Sequence, residues 1–307
     1  MKPIAPPTMD FNFAQVFSIF PRSAPKPRSK STSAPMASKD GKDTKGFRNY
    51  TDSAHQARVE RLYHDKYTGQ TVDYATRMKA DYGQFNRGTM SVWDASMFLD
   101  DIVDQSDPDV AISQIHHAIQ TGEACRKAEP DLDWFHLLGF IHDLGKILAS
   151  PRFGGMQQWE MVGDTFPVGC QLTDANVLHH LTEDNADMKN PKYNTQLGMY
   201  TEGCGFENVT WAFGHDEYLY MVLMNHPENR LPREAMYCIR FHSFYPWHHA
   251  GGYTYLSNAQ DRDMLPWVQK FQKCDLYSKV DKIEDFNALK PYYQGLIDKY
   301  VPGLVKW

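Results

Sequence analysis

One pentapeptide of this chain, His142-Asp143-Leu144-Gly145-Lys146, places three ionisable side chains inside a strongly apolar run. A buried ionisable group is costly unless it is paired or binds a metal, so an ordinary core helix has no need for three of them. Imidazole and carboxylate are ligands suited to iron, manganese or zinc, and the two oxygens of an aspartate can bridge two ions. The pentapeptide therefore predicts a metal site built into the core.

Four further residues have the chemistry to complete such a site. Each occurs in an apolar, aromatic or glycine-flanked stretch where a solvated surface role is not expected: His117, His215, His242 and Asp275. Together with His142 and Asp143 they make six ligands, which is enough for two ions, and a bridging Asp143 would offset the repulsion between them. Any one of the six, taken alone, is more simply explained as a hydrogen-bonded core histidine or a helix-terminal aspartate.

The elements that must position these residues are predicted to be helices. Apolar residues recur at intervals of three and four from Trp134 to Leu148, which predicts a helix over 133–149 with Asp143 and Lys146 on one face. Sustained two-residue alternation and internal repeats do not occur, so we predict an all-α fold, a single helical domain over residues 46–307. Further helices are predicted over 72–80, 91–103, 109–128, 216–224, 232–241, 265–275 and 291–299.

Residues 1–45 differ in composition from everything after them. Residues 21–46 are rich in Pro, Ser and Lys and nearly free of large apolar side chains, so we predict a disordered leader. Its basic residues also fit a transit peptide, but Asp10 and the prolines argue against the amphipathic helix that such a peptide needs.

The composition of the 307 residues limits the class of protein. The net charge of −6 argues against a general nucleic-acid binder, and no apolar run approaches the roughly 20 residues of a membrane span. The five cysteines form no Cys-x-x-Cys pair, which favours a reducing compartment and metal ligands drawn from His and carboxylates. We expect a soluble, cytoplasmic protein without a nucleic-acid or membrane partner.

The order His117, His142-Asp143, Asp275 is similar to the metal set of the HD superfamily, most of whose members are metal-dependent phosphohydrolases. Longer stretches are more specific, and together they resemble the myo-inositol oxygenase family across residues 47–307. These stretches are 47–50 (FRNY), 70–73 (QTVD), 106–109 (SDPD), 133–137 (DWFHL), 163–170 (GDTFPVGC), 214–218 (GHDEY), 241–248 (FHSFYPWH) and 291–300 (PYYQGLIDKY). The resemblance implies an HD-domain-like helical bundle.

The resemblance also implies a reaction, the oxidative ring cleavage of myo-inositol to D-glucuronate by dioxygen at a mixed-valent Fe2+/Fe3+ pair. It implies that Asp143 bridges two irons, with the other five ligands divided as His117, His142 and Asp275 on one and His215 and His242 on the other. The expected catalytic residues are Asp143 and Lys146, whose ammonium would neutralise a metal-bound alkoxide. The expected substrate contacts are Arg48, Asp104, Gln105, Ser106, Lys146, Gly163, Asp164, His242, Ser243 and Lys279.

Gln105, the His179-His180 region and the long leader depart from the family pattern, and two alternative functions stay open. Gln105 stands where a glutamate is expected in the animal enzymes, so only a backbone contact is expected there. An HD-type phosphohydrolase would use the same metal set, although the chain lacks a glycine-rich phosphate cradle. A non-catalytic sensor would keep the metal-binding fold to bind a ligand, although loss of one metal ligand is its usual sign and all six are present.

Overall fold

The computed structural model describes residues 56–106, 113–277 and 286–307, and within these ranges the chain is mostly helical. The predicted all-α class is confirmed. The leader over 1–45 and the domain boundary at residue 46 lie outside the described residues and stay predictions. The α-helices are α1 (Gln56–Gly69), α2 (Val72–Tyr82), α3 (Val92–Met97), α4 (Gln114–Ala128), α5 (Asp133–Ile141), α6 (Gln158–Met161), α7 (His215–Asn225), α8 (Arg233–Phe241), α9 (Tyr245–His248), α10 (Ala259–Tyr277) and α11 (Phe286–Tyr300).

Three predicted helices have clearly different lengths in the structure. The helix predicted over 291–299 begins earlier, at Phe286, and contains Pro291 in its interior. The helix predicted over 91–103 ends at Met97, and the chain then bends toward Asp104, whose carboxylate accepts a hydrogen bond from the backbone of Ser106 at 2.8 Å. Between Met97 and Asp104 single turns replace the helix, since the backbone N–H groups of Phe98 and Ile102 donate to the carbonyl oxygens three residues earlier, each at 3.2 Å. The helix predicted over 265–275 begins earlier, at Ala259, and contains Pro266. α1 was not predicted, and residues 109–112 of a predicted helix lie outside the described ranges.

The helix predicted over 133–149 is interrupted at the pentapeptide. α5 ends at Ile141, and a 3-10 helix over Leu144–Ala149 continues the chain. The 3-10 segment lies very close to another backbone, because a Cβ atom placed on Gly145 would lie 2.0 Å from the backbone oxygen of His215. The glycine allows the 3-10 turn to pack directly on the start of α7, and so brings Asp143 next to His215.

A second close approach joins α4 to α5. A Cβ atom on Gly139 would lie 2.8 Å from the Cα atom of Gly122 and from the backbone oxygen of Thr121, so the two helices contact through their backbones. This packing places His117 of α4 against His142 at the end of α5, with ring centroids 5.2 Å apart. α7, α8 and α10 complete the surroundings of this point, since α8 contacts α5, α7 and α10, and α10 contacts α4.

The C-terminal residues tie the bundle together. β2 (Val305–Lys306) pairs in antiparallel fashion with β1 (Thr89–Met90), with Thr89 opposite Lys306. Trp307 is fully buried, and its indole N–H donates to the Met90 backbone oxygen at 3.3 Å. Among the helices that the structure describes, none is both long and apolar enough to cross a membrane.

Candidate metal centre

Three buried histidines, His142, His215 and His242, point the same ring nitrogen toward the carboxylate of Asp143. In each ring Nδ1 donates to a backbone oxygen: His142 to Gly139 at 2.8 Å, His215 to Met161 at 2.6 Å, and His242 to Ile239 at 3.0 Å. This bond fixes the orientation of the ring and leaves the lone pair on Nε2, as is usual for a metal-binding histidine. The fold thus turns three Nε2 atoms toward the carboxylate of Asp143.

The residues His117, His142 and Asp275 form the first group of potential ligands. Oδ1 of Asp275 lies 2.9 Å from Nε2 of His117 and 3.4 Å from Nε2 of His142. One atom from each of the three residues lies within 4.8 Å of the others, and all three side chains are buried. These distances allow a single ion to bind to α4, the end of α5 and α10 at the same time.

The carboxylate of Asp143 lies between this group and a second pair of histidines. Its Oδ2 atom is 3.6 Å from Nε2 of His117 and 3.4 Å from Nε2 of His142. Its Oδ1 atom is 3.2 Å from Nε2 of His215 and 3.5 Å from Nε2 of His242. The two oxygens therefore face two different histidine pairs, which is the geometry that a carboxylate bridging two ions requires.

Asp216 is a neighbour of the centre that the sequence did not indicate. Its Oδ1 atom lies 2.7 Å from Nε2 of His215 and 3.3 Å from Nε2 of His242. Its Oδ2 atom accepts a hydrogen bond from Oγ of Ser243. The signal that could have found it is the Gly-His-Asp-Glu sequence at the start of α7, where two acidic residues follow a buried histidine.

The nitrogen and oxygen atoms of the cluster are arranged as ligands of a metal rather than as a complete hydrogen-bond network. Nε2 of His142 and Oδ1 of Asp216 are shielded from solvent, yet no described residue gives either of them a well-aligned hydrogen bond. A buried polar atom without a partner is destabilising, so it indicates a missing binding partner. Nitrogen and carboxylate oxygen donors that converge on two points fit a pair of transition-metal ions.

The carboxylates control the protonation of this cluster. Burial opposes ionisation of Asp143, but His142 and Lys146 outweigh it and hold the pKa of its carboxyl well below the usual range. Burial likewise opposes protonation of His215, but Asp216 and Asp143 raise the pKa of its imidazole to about 10. A proton and a metal compete for the same lone pair, so metal binding to this site releases protons.

Lys146 is buried beside the cluster and is held by three partners. Its Nζ atom donates to Oδ2 of Asp143 at 2.8 Å and to Oε1 of Gln114 at 2.7 Å, and forms an ion pair with Oδ2 of Asp104 at 2.8 Å. Burial favours the neutral amine, but the two carboxylates outweigh it and raise the pKa of Lys146. The side chain is therefore a fixed cation next to Asp143.

One of the expected substrate contacts, Asp104, is joined to the cluster through Lys146, and the structure also describes Ser106, Gly163 and Asp164. Asp104 joins Lys146, as above, and also accepts a hydrogen bond from Oγ of Ser106 at 2.6 Å. Asp164 accepts a hydrogen bond from the Tyr63 hydroxyl at 2.9 Å, a contact that the sequence did not suggest. Its neighbour Gly163 has a φ of +86°, a conformation that favours glycine.

For three further residues the structure gives no support for a side-chain contact with substrate. The side chain of Gln105 is exposed, and its backbone N–H donates to Oε1 of Gln158 at 3.0 Å. Contact through that side chain is therefore not supported. Arg48 and Lys279 lie outside the described residues.

Fold and site together define a class, a helical protein with buried His/Asp metal-binding groups. The family model for myo-inositol oxygenase matches residues 56–307. The chain is 52% identical to inositol oxygenase from Mus musculus over 267 residues, which cover 87% of this chain and 92% of the relative. It is 47% identical to inositol oxygenase 2 from Arabidopsis thaliana, over 92% of this chain and 89% of the relative.

A third relative, inositol oxygenase from Dictyostelium discoideum, is 48% identical over 87% of this chain and 91% of its own length. The chain belongs to the myo-inositol oxygenase family. The predictions of an oxygenase and of a metal-dependent enzyme are thereby confirmed.

Proposed function

We propose that this chain cleaves the ring of myo-inositol to D-glucuronate with dioxygen at a di-iron centre. The observation that carries the proposal is the position of Asp143, whose two oxygens face two separate histidine pairs at 3.2–3.6 Å. A site for one ion would not need a carboxylate turned toward both pairs. Membership of the myo-inositol oxygenase family supports the choice of substrate and reaction.

The proposed ligands divide into two groups that share Asp143. His117, His142 and Asp275 would hold one iron, and His215 and His242 would hold the other. The pair would be Fe2+/Fe3+ in the active state, and when bound it would acidify a substrate hydroxyl and supply electrons to dioxygen. His and carboxylate ligands also bind manganese or zinc, so the identity of the metal as iron is part of the proposal.

Lys146 and Asp143 are the residues that we propose act on the reacting atoms. The Lys146 ammonium lies 2.8 Å from Oδ2 of Asp143, on the side where Asp104 also lies. A fixed cation at this position would stabilise negative charge that develops on a substrate oxygen, and it needs no rearrangement to do so. The pKa of Lys146 is raised, so it stays protonated and acts as a charge and a hydrogen-bond donor rather than as a base.

The remaining contacts would orient a neutral polyol, which needs both donors and acceptors around it. Asp104, Asp164 and the hydroxyls of Ser106 and Ser243 can accept from or donate to substrate hydroxyls, and the backbone at Gly163 approaches closely because that residue has no side chain. The other residues proposed to contact substrate are Arg48, Lys146, His242 and Lys279, with Gln105 acting through its backbone only. A cytoplasmic location stays a prediction.

The test is a measurement of metal content and of reaction stoichiometry on the purified protein. With iron loaded and myo-inositol added, we expect dioxygen to be consumed and glucuronate to form in equal amounts. Release of phosphate from a phosphate ester with no demand for dioxygen would contradict the proposal and favour the hydrolase alternative. Tight binding of inositol without any turnover would contradict it as well, in favour of a sensor.

A further inference from the structure

A buried lysine occupies the apolar stripe of α1. The helix buries the residues at intervals of three and four that face the core: Val59, Leu62, Tyr63, Lys66 and Tyr67. Lys66 is only 1% exposed, at a position where the pattern calls for an apolar side chain. An ammonium at such a position is costly unless it has a partner, so its presence requires a reason.

The stem of Lys66 lies along one edge of the proposed substrate site. A Cβ atom placed on Gly163 would lie 3.3 Å from Cδ of Lys66 and 3.5 Å from Cζ of Tyr63, so this face of α1 packs directly against Gly163. One turn before Lys66, the Tyr63 hydroxyl donates to Asp164 and accepts a hydrogen bond from the Asp164 backbone N–H at 3.2 Å. Lys66 therefore reaches the site beside Gly163 and Asp164.

Lys66 has no direct partner for its charge in the part of the chain that the structure describes. Among the described residues, no hydrogen bond or ion pair reaches its ammonium. Burial lowers the pKa of Lys66 to about 8, and the carboxylates that partly oppose this are those of Asp216, Asp164 and Asp104. Lys146 is the opposite case, because three direct partners hold it and raise its pKa. A buried ammonium that bonds to none of the described carboxylates has its three donors available to a ligand.

We propose that Lys66 is a further substrate-positioning residue, whose ammonium donates a hydrogen bond to a hydroxyl of the polyol bound beside Gly163 and Asp164. The inference rests on the proposed function, since it assumes a polyol in this site. The carboxylates of Asp104, Asp164 and Asp216 can only accept hydrogen bonds when ionised, whereas each substrate hydroxyl is both donor and acceptor. Lys66 supplies a donor to the edge of the site that these carboxylates line.

The test is the variant Lys66→Met, because methionine has a similar length and suits an apolar stripe. We expect iron content to stay at the wild-type level and the melting temperature to stay equal or rise. The dissociation constant of myo-inositol, measured by calorimetry without dioxygen, should rise about tenfold or more, which corresponds to the loss of one charge-assisted hydrogen bond. KM should rise with it, while kcat changes much less.

Lys299→Met is the matched control, since Lys299 forms an ion pair with Asp133 on the outside of the molecule and should leave inositol binding unchanged. Lys66→Gln, which keeps a donor without the charge, is the second variant. A wild-type dissociation constant in Lys66→Met, or failure of both variants to fold and bind iron, would overturn the inference and make Lys66 a packing residue. If the wild-type protein itself neither binds nor oxidises myo-inositol, the proposed function has failed instead.

Discussion

Two buried clusters of charged side chains meet at the first turn of α7, and they differ in how completely their atoms are paired. Glu217 accepts hydrogen bonds from Nε and Nη2 of Arg240 at 2.6 and 3.0 Å, and Nζ of Lys79 lies 2.7 Å from it. Its neighbour Asp216 belongs to the histidine cluster, where no described residue gives Oδ1 of Asp216 or Nε2 of His142 an aligned hydrogen bond. Consecutive residues of a helix point about 100° apart, which sends these two carboxylates into different surroundings.

The comparison teaches how to separate structure from function among buried charges. In the cluster of Glu217, Arg240 and Lys79 the charges are paired with one another. This cluster therefore stabilises the fold and requires no ligand. The cluster of Asp143, Asp216 and the surrounding histidines contains buried polar atoms without an aligned hydrogen bond, which indicates that a bound ion completes it. Substitutions in the first cluster should therefore change stability, and substitutions in the second should change metal content and turnover.

The largest effect is expected for Asp143→Ala. Since this carboxylate faces both histidine pairs, its removal should reduce the iron content from about two ions per chain to near zero and abolish turnover. Elemental analysis of the purified variant checks this, with Asp73→Ala as a control because Asp73 lies in an exposed ion pair with Arg77. Two tightly bound irons in Asp143→Ala would rule out the bridging role.

The next largest effect is expected for Lys146→Met, which keeps much of the length of the stem and removes the charge. Iron content should stay near the wild-type value, while turnover should fall roughly 10²-fold, on the scale of losing one preorganised electrostatic contact. Steady-state kinetics on the fully loaded variant provide the measurement, with Lys299→Met as the control. Wild-type turnover in Lys146→Met would show that the cation serves the fold alone.

The Glu217 cluster should respond in stability instead. Burial opposes the ionised carboxylate, but Arg240 and Lys79 outweigh it and lower the pKa of Glu217 to about 2, against an ordinary value of 4.5. A lowered pKa contributes stability that is fully present above about pH 4.5 and is lost as the pH falls toward 2. Glu217→Gln should therefore lower the free energy of unfolding at pH 7 by about 3 kcal/mol, because it leaves Arg240 buried without its counter-charge.

Urea unfolding of the metal-free proteins at several pH values checks this. The difference in the free energy of unfolding between wild type and Glu217→Gln should become smaller as the pH falls below 4.5. Glu228→Gln is the control, since Glu228 forms an exposed pair with Arg230 and should cost less than about 1 kcal/mol. A difference in the free energy of unfolding that does not change with pH would mean that ionisation of Glu217 does not stabilise the protein.

The smallest effect is expected for removal of residues 1–45. The composition of most of this segment lacks the apolar residues needed to join a core, so melting temperature and turnover should be nearly unchanged. The truncation must keep Arg48. A large fall in turnover in the truncated chain would show that the leader contributes to the site.

The sequence predicted the residues of the centre better than the elements that carry them. His117, His142, Asp143, His215, His242 and Asp275 are brought together as expected, because ionisable residues in apolar stretches are rare enough to stand out. The break after Ile141 was missed, since the apolar stripe continues through it and the close packing of Gly145 on His215 is a tertiary contact that periodicity does not show. Asp216 and Lys66 were missed because a helix-start aspartate and a helical lysine look like solvated residues until their burial is known.

The central claim is that Asp143 lies between two metal ions. X-ray absorption spectroscopy at the iron edge of the fully loaded protein tests it most directly, because a neighbouring iron scatters more strongly than carbon, nitrogen or oxygen. We predict an iron neighbour at about 3.5–4 Å, the separation typical of two-metal sites, within a first shell of nitrogen and oxygen ligands. Iron that binds with this first shell but has no second iron near it would contradict the claim.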